Sequence, residues 1–200
     1  MSIATSSLMP KHGDRMTFEK FKSLNLSESS SLSLLNGVVY DEAGLAHEEA
    51  ITKRDHQHAH VASQLSFLLH TWQTKSKFAG RVFSGDVGCE VADCGLAVGI
   101  DVAVFADDII NHSKTSSYIQ GIPMLAVEIL SPGDKQSFIN DKVDSYLSAG
   151  VPLVWQVDPH FRSVVVFRPD LVPEMFAMGA TLDGGITLPE LRLAVAEVFE

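Results

Sequence analysis

The segment IPMLAVEIL, residues 122–130, constrains the fold of this chain more than any other. From Met124 to Leu130 it is apolar at every position but one, the pattern of a strand covered on both faces and therefore central to a layered sheet. It is far shorter than the roughly 20 residues needed to span a bilayer, so no membrane insertion is expected. The exception is Glu128. Burying an unpaired carboxylate is costly, so a glutamate there requires a partner cation, a hydrogen-bond network, or a place at a strand end facing a cleft.

The flanking sequence supplies the layers. Ser131-Pro132-Gly133-Asp134 breaks the chain, and Phe138, Val143, Tyr146 and Leu147 then form a helical stripe that ends near Gly150, a C-terminal cap. Val151–Val157 and Ser163–Phe167 read as two strands around an Asp158-Pro159 turn, and AVAEVF near the C-terminus as a short closing helix. Upstream, Val61, Leu65, Leu68, Leu69 and Trp72 recur at spacings of three and four between His56 and Thr74, which predicts a long surface helix. Gly80–Ala92 and Gly99–Phe105 are rich in Val, Ile and Phe, as strands are. Residues 16–24 open with a short helix, SESSSLS at 27–33 reads as a loop running into a strand, and Asn36-Gly37 between two apolar runs is a hairpin signal.

The sum is an α/β (α+β) chain with a mixed central sheet flanked by helices and an N-terminal β-hairpin. Two hundred residues, 46% of them hydrophobic, suffice for one well-buried core. We therefore expect a single domain over residues 16–200 behind a loose tail, residues 1–15, which has no apolar run resembling a secretory signal.

Asp101 in GIDVAVF shares the predicament of Glu128. Two carboxylates on neighbouring strands could share one oxygen-liganded cation such as Mg²⁺ or Mn²⁺, which can deprotonate a bound water and stabilise charge on a phosphodiester oxygen. Lys142 lies on the helix after the Glu128 strand, four residues before Tyr146 and on the same face, where its ammonium could reach such a site. Glu90 is a secondary candidate for the acidic cluster, an exposed strand glutamate being an equal reading. Structural readings stand beside the catalytic ones: a carboxylate bonded to backbone amides for Glu128, a strand-end residue for Asp101, a solvated surface lysine for Lys142. His56, His58 and His60 are spaced by two and do not share a helix face, which argues against zinc there. Gln136 and Asp134 need no role beyond loop and capping positions. No GxSxG, Walker-type or GxGxxG motif is present, which sets aside serine hydrolases, nucleoside triphosphatases and dinucleotide enzymes.

Cys89 and Cys94 match neither a CxxC redox pair nor half of a zinc site and read as reduced thiols in a reducing compartment. The net charge of −10 opposes generic attraction to nucleic acid, which usually rests on clustered Lys and Arg.

Taken in order, the Asn36-Gly37 segment, His58, GIDVAVF, MLAVEILSPGDK, the Lys142 and Tyr146 pair, AGVPLVWQVDP and TLDGGITLPELRLAVAEVF resemble the Uma-two family of endonucleases, within the PD-(D/E)XK superfamily of restriction endonuclease-like folds. The resemblance implies a metal-dependent endonuclease acting on DNA, a Mg²⁺ or Mn²⁺ cofactor, a cytoplasmic location and a homodimer that cuts both strands. It makes Asp101 the first metal ligand, Glu128 the second and the backbone carbonyl of Ile129 a third, with Lys142 completing the catalytic set. Substrate contacts fall to His58 and Tyr146, packing at the helix start being the plainer reading of His58. Two positions depart from the motif: Ile100 replaces the proline before the first aspartate, and Leu130 replaces the lysine two residues after the glutamate, a loss that Lys142 makes good from the following helix. The rival reading is a non-catalytic binding or regulatory protein on the same fold with a decayed metal site.

Overall fold

The computed structural model describes residues 9–24, 31–41, 55–113 and 118–200. Its short first helix, α1 (Phe18–Lys22), is capped by the Thr17 hydroxyl and buries Phe18 and Phe21. Strands β1 (Leu32–Leu35) and β2 (Val38–Asp41) form the expected hairpin around Asn36 and Gly37, whose φ values of 49° and 75° are the left-handed pair that a tight two-residue turn demands. The loop expected at 27–33 lies largely outside the described residues, as do residues 1–8 of the expected tail. Gly13 and Met16 donate to Val39 and Gly37 carbonyls, and Arg15 bridges Val38. The chain is thus tied to β2 before residue 16, earlier than expected.

Helix α2 (His56–Ser76) is the long helix that the apolar spacing predicts. Asp55 caps it by accepting from the His58 amide, and Lys77, at φ 54°, ends it. Strands β3 (Gly80–Val91) and β4 (Leu96–Ala106) pair antiparallel over nearly their full lengths. Between them the register shifts: Ser84 faces Val102 and Val87 faces Ile100, so Gly85 and Asp86 together oppose Asp101. This is a β-bulge, with both residues at positive φ.

The remaining elements are α3 (Asp107–His112), β5 (Ile119–Gln120), β6 (Leu125–Ile129), α4 (Gln136–Ser148), β7 (Val154–Asp158), β8 (Ser163–Phe167), β9 (Glu174–Phe176), the small pair β10 (Thr181–Asp183) and β11 (Arg192–Ala194), and α5 (Val195–Val198). The large sheet runs β2-β1-β4-β6-β7-β8-β9, with β3 on the other edge of β4 and β5 beside β3. β6 is central as predicted, antiparallel to β4 and parallel to β7. Its alternation separates two cores. Leu125, Val127 and Ile129 pack with Val61, Leu65 and Leu69 of α2, whereas Ala126 packs with Val143 and Tyr146 of α4. The two helices therefore cover opposite faces of the sheet, which is why the strand carries an apolar residue at almost every position. Among the described residues no helix is long and apolar enough to cross a membrane.

One topological detail positions the site. β1 and β6 pair with the same edge of β4, one after the other: β1 at Ala97, β6 from Val102 to Val104. Between these pairings β4 has no ladder partner on that edge. The interval holds Gly99 and Asp101.

Candidate active site

The gap must still satisfy its backbone groups, since unpaired buried amides and carbonyls are costly. Side chains do this. One step beyond the last β4–β6 pair, Val102 with Val127, the register brings Asp101 opposite Glu128. Asp101 Oδ2 accepts from the Ile129 amide at 2.8 Å, and Lys142 Nζ donates to the Gly99 carbonyl at 3.0 Å. The glycine has a second reason. Asp86 of the bulge lays its carboxylate over the Gly99 α-carbon so closely that a Cβ there would overlap it.

Glu128 is reached from α4, with which it shares a face of the sheet. Lys142 Nζ stands 2.7 Å from Oε2, and Tyr146 donates its hydroxyl to Oε1 at 2.6 Å. The four-residue spacing on one helix face thus delivers both groups to a single carboxylate. Glu128 and Lys142 are each 2% exposed and Tyr146 fully buried. Burial pushes the Glu128 carboxyl up to about 7. Lys142 opposes the shift, the charge of Asp101 adds to it, and the bonds from Lys142 and Tyr146 lower it further.

Asp101 is approached from α2. His58 Nε2 lies 3.1 Å from Oδ2, yet it is not aligned for a hydrogen bond and remains buried without such a partner among the described residues. Asp101, Glu128, Lys142 and His58, together with the Ile129 backbone, accordingly converge from four elements on one spot.

Two expectations change. Tyr146, expected at the substrate, has a fully buried side chain and donates its hydroxyl to Glu128 Oε1. Glu90 was a secondary member of the acidic cluster. It lies opposite Ala97, buried, with Lys22 of α1 at 2.9 Å and the Gln120 amide also on Oε1, so its charge is balanced locally at the far end of β3. Ile129 enters through its N–H, the group the structure shows at work. Of the two readings of Lys142 the solvated surface lysine falls, since its side chain is buried against Glu128 and the Gly99 carbonyl.

Residues that the sequence reading passed over also lie here. Ser131, just past β6, keeps its hydroxyl buried without a hydrogen bond among the described residues. Gln156 of β7 is 8% exposed and pairs in register with Glu128. Its signal was available, because it is a polar residue in an apolar run, as Glu128 is.

Chemically, the cluster offers two carboxylates, one fixed ammonium and a donor set made of oxygen. Comparison with known proteins agrees with the fold. No curated protein matches the chain. Among solved structures, a protein from Anabaena variabilis ATCC 29413 described as "a putative nuclease belonging to DUF820" superposes with a TM-score of 0.74 at 20% identity, covering 92% of this chain and 97% of that one. The sequence pattern described as "Uma2: Putative restriction endonuclease" matches residues 19–196, which span every site residue named above, and the chain belongs to that family.

Proposed function

We propose that this protein is a metal-dependent endonuclease that hydrolyses phosphodiester bonds of DNA, with Asp101 and Glu128 holding Mg²⁺ or Mn²⁺. The observation that carries the reading is the facing of Asp101 and Glu128 across the end of the β4–β6 ladder, with Lys142 bonded to Glu128. Two buried carboxylates face one another there, and burial first, with the charge of Asp101 adding to it, raises the Glu128 pKa, the condition that a bound cation relieves. The residues fit such an ion, because hard oxygen ligands favour Mg²⁺ and Mn²⁺. Among the described residues no three His, Cys, Asp or Glu side chains gather to enclose a metal. The remaining positions would fall to water, substrate oxygen and the Ile129 carbonyl, as suits an ion that keeps much of its hydration.

When bound, the metal would supply an activated water and charge stabilisation at the phosphate. The chain does the rest. Lys142, anchored on Gly99, holds Glu128 in place and offsets negative charge at the reacting phosphate. Tyr146 fixes the other carboxylate oxygen. His58, whose Nε2 lies 3.1 Å from Asp101 Oδ2, would donate to a phosphate oxygen of the substrate once it turns from that carboxylate. Cutting both strands of a duplex calls for two such sites, which makes a homodimer part of the proposal. The free thiols of Cys89 and Cys94 suit a cytoplasmic setting.

Cleavage of plasmid DNA with Mn²⁺ by wild type and by Glu128→Ala tests the reading. Wild-type nicking that the variant lacks supports it, and equal activity in both sinks it. The rival, a binding module on the nuclease fold, draws on the occupation of both Glu128 oxygens by Lys142 and Tyr146 and on the net charge of −10. It gains if calorimetry finds no Mn²⁺ binding that depends on Asp101.

A further inference from the structure

Gln156 occupies a position where an amide needs a reason. Its neighbours Val154, Trp155 and Val157 are fully buried, and β7 is flanked on both sides by other strands. Val154 packs toward α4, while Trp155 and Val157 pack toward α2, so alternation turns Gln156 to the α4 face. That is the face of Glu128, its direct partner on β6. The Gln156 side chain nonetheless makes no hydrogen bond among the described residues, and its amide is not among the unpartnered polar atoms sealed from solvent. A group held like this does nothing for the fold. An apolar side chain would pack as well and leave no polar atom unsatisfied.

Gln and Glu have equal reach, so from paired positions one strand spacing of about 5 Å apart the amide of Gln156 can come level with the Glu128 carboxyl. A neutral donor suits that place. A lysine or arginine there would set a second side-chain cation beside Glu128, which Lys142 already pairs, whereas an amide donates to an anionic ligand without adding charge. We infer that Gln156 is a substrate-positioning residue whose amide N–H donates to a backbone phosphate oxygen of the nucleic acid bound at Asp101 and Glu128. The assignment rests on the nuclease reading above. It adds a contact that reads no base and sets the height of the backbone over the carboxylates.

The test compares wild type, Gln156→Leu, Gln156→Glu and Asp101→Asn in steady-state cleavage of a labelled duplex with Mn²⁺, alongside thermal melting. Gln156→Leu should melt at or above the wild-type temperature and lose about tenfold in kcat/KM, chiefly through KM, as expected for one lost hydrogen bond to a charged group. Its affinity should show an unchanged salt dependence, since a neutral donor releases no counterion. Gln156→Glu should lose more, through repulsion of the phosphate. If wild type cleaves, Asp101→Asn does not, and Gln156→Leu cleaves normally, the Gln156 assignment alone falls. A Gln156→Leu protein that melts several degrees lower overturns it too, because the amide would then be structural. If wild type and Asp101→Asn are alike, active or inactive, the nuclease reading falls and this contact with it.

Discussion

Lys142 grips Glu128 from beneath the sheet, Nζ to Oε2 at 2.7 Å, and the same ammonium bonds the Gly99 carbonyl that the parting of β1 and β6 leaves exposed on β4. The pair is therefore both the charge balance of the site and a clamp across two strands.

Removing the ammonium should harm stability as well as chemistry. Lys142→Met leaves a buried carboxylate unpaired, and breaking such a pair costs about 3 kcal/mol when the remaining group is charged. Glu128 escapes part of that cost by protonating. Urea denaturation should show a large deficit at pH 8 and a much smaller one at pH 5.

The raised pKa of Glu128 fixes a sign for the metal-free protein. Its folded value of about 7 exceeds the ordinary 4.5, so between these limits the native state binds more protons than the unfolded chain. Stability from this group is full below about pH 4.5 and is lost as pH rises through about 7, by at most about 3 kcal/mol. Glu128→Gln should flatten that part of the curve of Tm against pH. Mn²⁺ should oppose the loss at high pH in wild type and leave the variant unchanged.

Tyr146→Phe removes the 2.6 Å bond to Glu128 Oε1 with little change of shape. That bond lowers the carboxyl pKa, so its loss should raise the acidic limb of the pH–rate profile for DNA cleavage and cut kcat by roughly ten- to a hundredfold at neutral pH. A profile that only scales down, without moving, would count against a positioning role.

Gly99→Ala should destabilise by about 1–3 kcal/mol, because its methyl meets the Asp86 carboxylate. Asp86→Ala removes the obstruction. The double variant should therefore be more stable than the sum of the single effects, a coupling that a denaturation cycle measures directly.

What could be read in advance depended on contrast. Glu128 stood out because every neighbour was apolar, and α2 and α4 because their stripes were long enough to show a period. Gln156 offered the same contrast but fell on a variable position of a recognised motif. β9, β10 and β11 are three residues each, too short for alternation to register. The parting of β1 and β6 along β4, and the bulge at Gly85 and Asp86, depend on which strand ends where in space. No local pattern encodes that, so the availability of the Gly99 carbonyl and the true station of Tyr146 emerged only with the fold.

The placement of α2 and α4 on opposite faces has a consequence for the protein during its synthesis. His58 reaches Asp101 from one helix and Lys142 reaches Glu128 from the other, and the sheet between them is complete around β6 only once β7 has docked. A ribosome-bound chain that has released β4 and β6 carries both carboxylates but not the framework that opposes them. The four side chains are brought together only when β6 gains β7 as its parallel partner, so the cluster takes its final form late in the folding of the growing polypeptide.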